Sequence, residues 1–144
     1  MDMTDLSCGV CPVGRGLARA GDTWSMLILR NAGLGQTRFD QFQKSLGIAP
    51  NILARRLAAL VTAGMLARRR YSDHPPRDEY VLTEAGRDYL PVLHALGGWA
   101  RKHFGGGAMR RPVEAGSGRE IVPVVVDAET GVPLADLAIA LAMP

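Results

Sequence analysis

Apolar positions along the chain fall into spacings that predict several short helices, one hairpin and a long final helix. Pro12 suits the first position of a helix, and Leu17, Ala18 and Ala20 supply modest helix propensity up to Gly21. Asp22 can cap a second helix over about residues 24–31, whose Met26, Leu27, Ile28 and Leu29 are apolar all round and so belong in a core. Gly33 and Gly35 end it. From Arg38 the spacing of Phe39, Phe42 and Leu46 predicts a short helix, and Gly47 supplies the left-handed residue that commonly follows one. Pro50 opens the next helix, with Leu53, Leu57 and Leu60 on one stripe and Gly64 at its end. The face away from that stripe is Asn51, Ala54, Arg55, Ala58 and Thr62.

Two short amphipathic helices joined through Gly47, Ile48 and Ala49 make a helix-turn-helix. Residues 65–71 and 79–82 read as strands around a tip stiffened by Pro75 and Pro76. A helix-turn-helix followed at once by a basic hairpin is the layout of a winged helix. The expected fold class is therefore mainly α with a small β-hairpin wing, an α+β winged helix-turn-helix. Thr83 can cap a last helix over about residues 84–104, bent at Pro91, with Tyr89, Leu93, Leu96, Ala100 and His103 on one face. One small domain cannot readily bury so long a stripe, so dimerisation through the terminal helices is expected, with Tyr89, Leu93, Leu96 and Ala100 in the interface.

Gly105, Gly106 and Gly107 mark a boundary. The expected organisation is an N-terminal arm over residues 1–10, the winged domain with its dimerisation helices over 11–104, and an extension over 105–144. In that extension residues 121–126 read as a strand and Glu129, Thr130 and Gly131 as a turn, while Leu134, Leu137, Ala138 and Leu141 suit a short helix or a strand.

Charge sharpens this picture. Residues 30–77 hold nine basic side chains against two acids, a local charge of +7, whereas residues 105–144 hold three arginines against five acids. A polyanion site is thus expected in the centre of the chain and not in its tail. Of the 17 basic residues 15 are arginine, whose planar fork suits phosphate oxygens and guanine edges. No apolar run has the roughly 20 residues a membrane helix needs, and Asp2 and Asp5 stand where a signal peptide would be basic, so a cytoplasmic protein is expected.

Within this layout Arg55 is placed to reach a base edge in the major groove and Asn51 to bridge an adenine, with Pro50 and Ala54 beside them. Arg56 lies nearer the buried edge and serves either a phosphate or an internal ion pair. Arg38, Arg70 and Arg77 complete the candidate DNA-binding set, Arg77 from the wing. Arg68, Arg69 and Arg70 alternate faces of a strand and cannot all touch one ligand. Cys11 stands at a helix N-terminus, where the dipole favours a thiolate, and Arg15 lies one turn on. Cys8 can resolve a sulfenic acid formed there, or either thiol can pair across a dimer. An inert Cys11 is an equal alternative on these residues alone. Two cysteines without a second pair do not make a zinc site, and neither metal nor cofactor is expected. Phosphate-cradling glycine loops, paired acids and a nucleophile elbow are all missing from the sequence, so an enzyme is not expected. Core packing is expected for Trp24 and Trp99.

The order and spacing of several fragments carry a resemblance. They are Cys11-Pro12-Val13, the Gly21-Asp22-Thr23-Trp24 turn leading into Leu27-Ile28-Leu29-Arg30, Arg56-Leu57, Pro75-Pro76-Arg77, Glu79-Tyr80, Leu82-Thr83-Glu84 and Gly86-Arg87. Over about residues 11–104 the chain resembles the HxlR-type, MarR-like winged helix-turn-helix regulators of bacteria. The resemblance implies a homodimer bound to operator DNA, a recognition helix at residues 50–63 and a wing at 73–77. It also implies redox or electrophile sensing through Cys11, since several members use a cysteine just before that first proline. Ala49 stands where the family usually has serine, Asn51 where lysine is frequent, and Asp78 where an apolar residue is usual. The resulting reading is a dimeric, sequence-specific regulator, a repressor switched by oxidation or alkylation of Cys11. Two alternatives stand beside it: a regulator answering a small non-covalent aromatic effector, and a thiol oxidoreductase using Cys8 and Cys11.

Overall fold

The computed structural model describes residues 7–144, so positions 1–6 of the expected N-terminal arm lie outside the described residues. From Pro12 on, the described residues form five α-helices and one hairpin in the order α1 (Pro12–Ala20), α2 (Thr23–Gly33), α3 (Phe39–Leu46), α4 (Pro50–Thr62), β1 (Leu66–Asp73), β2 (Pro76–Leu82) and α5 (Glu84–Phe104). This is the winged helix-turn-helix the hydrophobic spacing predicts. The described residues form two compact units that part at residue 90, the second beginning inside α5 at Pro91.

In the first unit each helix starts where a side chain or a proline satisfies the open end. The Asp22 carboxylate accepts from Ser25 N at 3.0 Å to cap α2, and Pro50 at the start of α4 has no N–H to leave unpaired. The turn between α3 and α4 is made at Gly47 with φ +64°, a left-handed conformation that glycine adopts without a Cβ clash. Ile28, Leu29, Phe42, Leu53, Leu57 and Leu60 are fully buried and form the core, with Met26 and Leu27 half-buried at its edge. Burial of the 53, 57, 60 stripe fixes the rotation of α4, and so decides which of its side chains face outward. Asn31, the other buried polar residue with Ser25, donates from Nδ2 to Ser45 Oγ at 2.9 Å and accepts from Arg30 Nε at 2.9 Å, so its burial leaves both ends of the amide bonded.

β1 and β2 pair antiparallel, Leu66 opposite Leu82 through Arg70 opposite Asp78. The register then slips by one, Ser72 facing Arg77, which leaves Tyr71 as the extra residue of a bulge. The tip is a His74–Pro75 turn with a cis peptide bond. Tyr80 N donates to Thr37 O at 2.7 Å, seating the wing against the start of α3. Thr83 caps α5 by accepting from Gly86 N at 3.1 Å, and its hydroxyl donates to Gly64 O at 2.6 Å. A Cβ on Gly86 would run into the Met65 carbonyl, so only glycine lets α5 start this close to the hairpin. Tyr89 on α5 donates from its hydroxyl to Ala20 O at 3.4 Å, which brings the first turns of the last helix against the end of the first.

In the second unit α5 continues unbroken through Pro91 to Phe104. The strand expected over residues 121–126 is absent as a ladder: Val113 bridges Glu120 and Val126 bridges Pro133, each in isolation. Pro112, Pro123 and Pro133 account for this, because each lacks the N–H a propagating ladder would need. The turn expected at Glu129, Thr130 and Gly131 is present. The Asp127 carboxylate accepts from Thr130 Oγ1 at 2.7 Å and from Glu129 N at 3.4 Å, bonds that hold its pKa below the usual carboxylate value, and Gly131 has φ +71°. Beyond one 3₁₀ turn at Leu134–Asp136 the chain is extended, neither the helix nor the paired strand its spacing suits.

Candidate nucleic-acid interface

On α4 the residues Asn51, Ala54, Arg55 and Ala58 are exposed, spaced to share one helix face opposite the buried stripe. Arg55 forms no ion pair or hydrogen bond within the described residues. Arg56 turns the other way. Its Nε lies 3.5 Å from Asp22 Oδ1, the carboxylate that caps α2, without the geometry of a hydrogen bond. The internal ion pair expected as one of two roles for Arg56 is thus formed. Burial raises the Asp22 pKa, but hydrogen bonds from Ser25 and the Arg56 charge together outweigh it and leave the carboxyl below its usual value. Adjacent arginines thus do different work: one presents its guanidinium to solvent and the other ties the α4 helix to the α1–α2 junction.

The wing is less cationic than its sequence. Arg68 and Arg70 both clasp Asp78, at 2.7 Å each, and Arg69 clasps Glu79 with Nε at 2.9 Å and Nη2 at 2.6 Å. These bonds, from Arg70 foremost for Asp78 and from Arg69 foremost for Glu79, hold both carboxyls below their usual range. Three arginines in a row are therefore matched by two acids, which the pairing register places opposite Arg69 and Arg70, Arg68 reaching Asp78 on the diagonal. Arg77 next to the tip is exposed and forms no ion pair within the described residues. Arg38, at the start of α3, stacks its guanidinium 4.7 Å from the centre of the Tyr71 ring, the residue the bulge leaves over. Neither the acid clasp nor the Tyr71 platform was among the sequence expectations. Both depend on the bulge at Tyr71, since a register counted outward from the Pro75–Pro76 tip without it would set Tyr71 opposite Asp78.

Cys8 and Cys11 are both exposed. Cys11 is the N-cap of α1, its Sγ accepting from Gly14 N at 3.4 Å, as its place before Pro12 predicts. Arg15 folds back to donate to Gly9 O at 2.6 Å and Cys8 O at 3.4 Å, so one side chain bridges the first turn of α1 to the segment before it. Of the expected dimer residues, Tyr89, Leu93 and Ala100 are half-buried and Leu96 is exposed. The apolar face open on α5 is Val92, Leu96 and Trp99, shifted by part of a turn from the expected stripe. Core packing does not hold for Trp99, which is 54% exposed and meets Phe104 edge-on at 5.1 Å, because no residue beyond position 90 is buried. Among the described residues no three His, Cys, Asp or Glu side chains converge, and no helix is long and apolar enough to cross a membrane.

A buried helix pair that presents an arginine-bearing face, followed by a hairpin wing, defines a winged helix-turn-helix transcription regulator. Residues 20–106 match the profile of the HxlR-like helix-turn-helix family, and the chain belongs to that family. It is 44% identical over 92 residues to Rv3095 of Mycobacterium tuberculosis, an HTH-type transcriptional regulator, a match covering 64% of this chain and 58% of that relative. The crystal structure of PA1607, a candidate transcription factor, superposes with a TM-score of 0.82 at 40% identity, covering 93% of this chain and 96% of its own. The redox regulator HypR in its oxidised form superposes with a TM-score of 0.59 at 30% identity, covering 65% of this chain and 97% of its own. The family and these relatives are regulators of transcription with a DNA-binding fold, not enzymes.

Proposed function

We propose that the protein is a cytoplasmic homodimeric repressor that reads a palindromic operator through Arg55 and Asn51 and is released when Cys11 is oxidised or alkylated. The observation that carries base reading is the contrast on α4: Arg55 is exposed and has no ion pair among the described residues, while Arg56 is held by Asp22. Arg55 forks to a guanine edge, Asn51 bridges an adenine, and Pro50 and Ala54 keep the helix surface low enough to enter the major groove. Arg77 follows the neighbouring minor groove, while Arg38 and Arg70 take phosphates where their Tyr71 and Asp78 contacts yield to the duplex. A dimer sets two such helices roughly 34 Å apart, one turn of B-DNA.

For release, the Cys11 thiolate attacks a hydroperoxide, forming a sulfenic acid and expelling the alcohol or water. A second thiol, Cys8 or a cysteine of the other subunit, then condenses with it to a disulfide and a second water. Exposure of Cys11 and the name HypR carries as a redox regulator both favour this route. Because α1 ends at Ala20, beside Tyr89 of α5 and next to Asp22, strain at its N-cap reaches both the last helix and the Arg56 tie. The test is binding to the promoter beside its own gene, with random DNA as competitor, before and after mild peroxide and again after thiol reductant. Specific binding lost and restored is expected for the native chain, and Cys11→Ser should hold the operator throughout. Release of Cys11→Ser by peroxide would remove the switch, and equal binding to random DNA would remove the operator.

A further inference from the structure

The last eight residues, Leu-Ala-Ile-Ala-Leu-Ala-Met-Pro, contain no polar side chain. They run extended and exposed. Leu137, Ile139, Leu141 and Met143 are 40%, 65%, 90% and 81% accessible, and after Leu137 N bonds to Leu134 O no further backbone hydrogen bond forms within the described residues. Alternation puts those four large side chains on one face and Ala138, Ala140 and Ala142 on the other. In the same unit an open cavity of about 440 Å³ is walled by Pro91, Val92 and Ala95 of α5 and by Val124, Val125 and Val126, with His94 at its polar edge. Both the arm and the groove are thus apolar, and both are uncovered.

We propose that the segment 137–143 is an exchange arm that seats in the Val92–Val124 groove of a second copy of this chain, its partner returning the same contact. This rests on the homodimer proposed above. Three features select a second copy as the occupant. Fifteen large apolar side chains between Val92 and Met143 are 37–90% exposed. That is on the order of 1,000 Å² of apolar surface, beyond the patch a monomer usually shows and comparable to one side of a standard interface. Arm and groove carry no formal charge, so the match is self-complementary, as a two-fold contact requires. The groove wall at Val92 is continuous along α5 with Leu96 and Trp99, the apolar face that helix leaves open. The alanine face lets the arm approach closely enough for its unbonded backbone to pair with the valine segment, whose own ladder Pro123 interrupts.

The test uses the full chain and two variants, Leu141→Asp and a chain ending at Asp136, in sedimentation equilibrium. Leu141 touches so little of its own chain that Leu141→Asp should keep the native melting temperature at dilution, which separates an arm defect from misfolding. We expect the dimer dissociation constant to rise about a hundredfold in both variants. A second arm mixes two Cys8→Ser/Cys11→Ser chains, one carrying Leu141→Cys and the other Val124→Cys. Disulfide joining the two different chains is expected. A native dimer whose constant neither variant changes would overturn the arm and leave the homodimer standing. A full chain that stays monomeric at tens of micromolar would overturn both. If the two cysteines placed in one chain cross-link only within it, the arm covers its own groove and the exchange is refuted.

Discussion

The two units of this chain differ in what they bury. Residues up to 90 enclose a core of seven fully buried large apolar side chains, from Ile28 on α2 to Leu66 on β1, whereas from Pro91 to Pro144 no residue is buried at all. The first unit is held by its own packing, and the second leaves exposed the apolar area a core would have taken. In the proposed homodimer that division keeps the half assigned to DNA reading rigid and leaves the half assigned to subunit contact open to change. The largest predicted effect tests the contrast directly. Leu53→Ala should cost about 2–5 kcal/mol in chemical denaturation, while Leu141→Ala, at concentrations where the chain is monomeric, should cost less than about 0.5 kcal/mol. A comparable loss from both would mean that the tail is part of the folding core.

Next in size is the reading of bases. Arg55→Ala should weaken operator binding by about 1–3 kcal/mol and relax sequence preference, with random DNA affected far less. An equal loss on both DNAs, read by competition at one fixed salt, would reassign Arg55 to the phosphate backbone. The neighbouring arginine should behave differently. Asp22→Asn keeps the cap on α2, since asparagine caps nearly as well, but removes the charge facing Arg56. Both side chains are more than a third exposed, so the stability lost should be only about 0.2–1 kcal/mol. Asp22 has a folded pKa below its ordinary 3.8, so its contribution is present above that pH and is lost as pH falls through the lower folded value. The stability gap between the native chain and Asp22→Asn should therefore close in acid. A gap that persists unchanged well below that range would mean the carboxylate's charge is not what Arg56 needs.

Most of the first unit was legible in the sequence because its signals are local. The 53, 57, 60 stripe, the Asp22 and Thr83 caps and Gly47 at the turn each act within a few residues, and each is found where its spacing put it. What stayed hidden depends on partners distant along the chain. That Asp78 and Glu79 would clasp three arginines follows only from a register with a bulge at Tyr71, which the alternation of residues 65–71 does not contain. Which way Arg56 turns depends on Asp22, thirty-four positions away on another helix. In the tail, valine-rich residues 121–126 carry a strand's composition, but three prolines deny the ladder, and the expected burial of Trp99 fails for lack of any layer above it.

The smallest predicted effect concerns the wing, where the same contrast recurs in miniature: Arg77 is open and Arg68 and Arg70 are bound to Asp78. Asp78→Asn keeps the side-chain shape and removes the charge that holds both guanidinium groups. If the hairpin runs along the duplex backbone, the freed Arg68 adds a phosphate contact and Arg70 makes its own without first leaving Asp78, neither carrying sequence information. Affinity for random DNA should then rise a few-fold more than affinity for operator, and the slope of log K against log salt should steepen by about 0.9 for each added contact. An unchanged slope would place that face of the hairpin away from the backbone, leaving Arg77 as the wing's own contact. A steeper slope would mean that Asp78 limits sequence-independent binding, and that the acid at a position usually apolar in this family serves specificity by holding back charge.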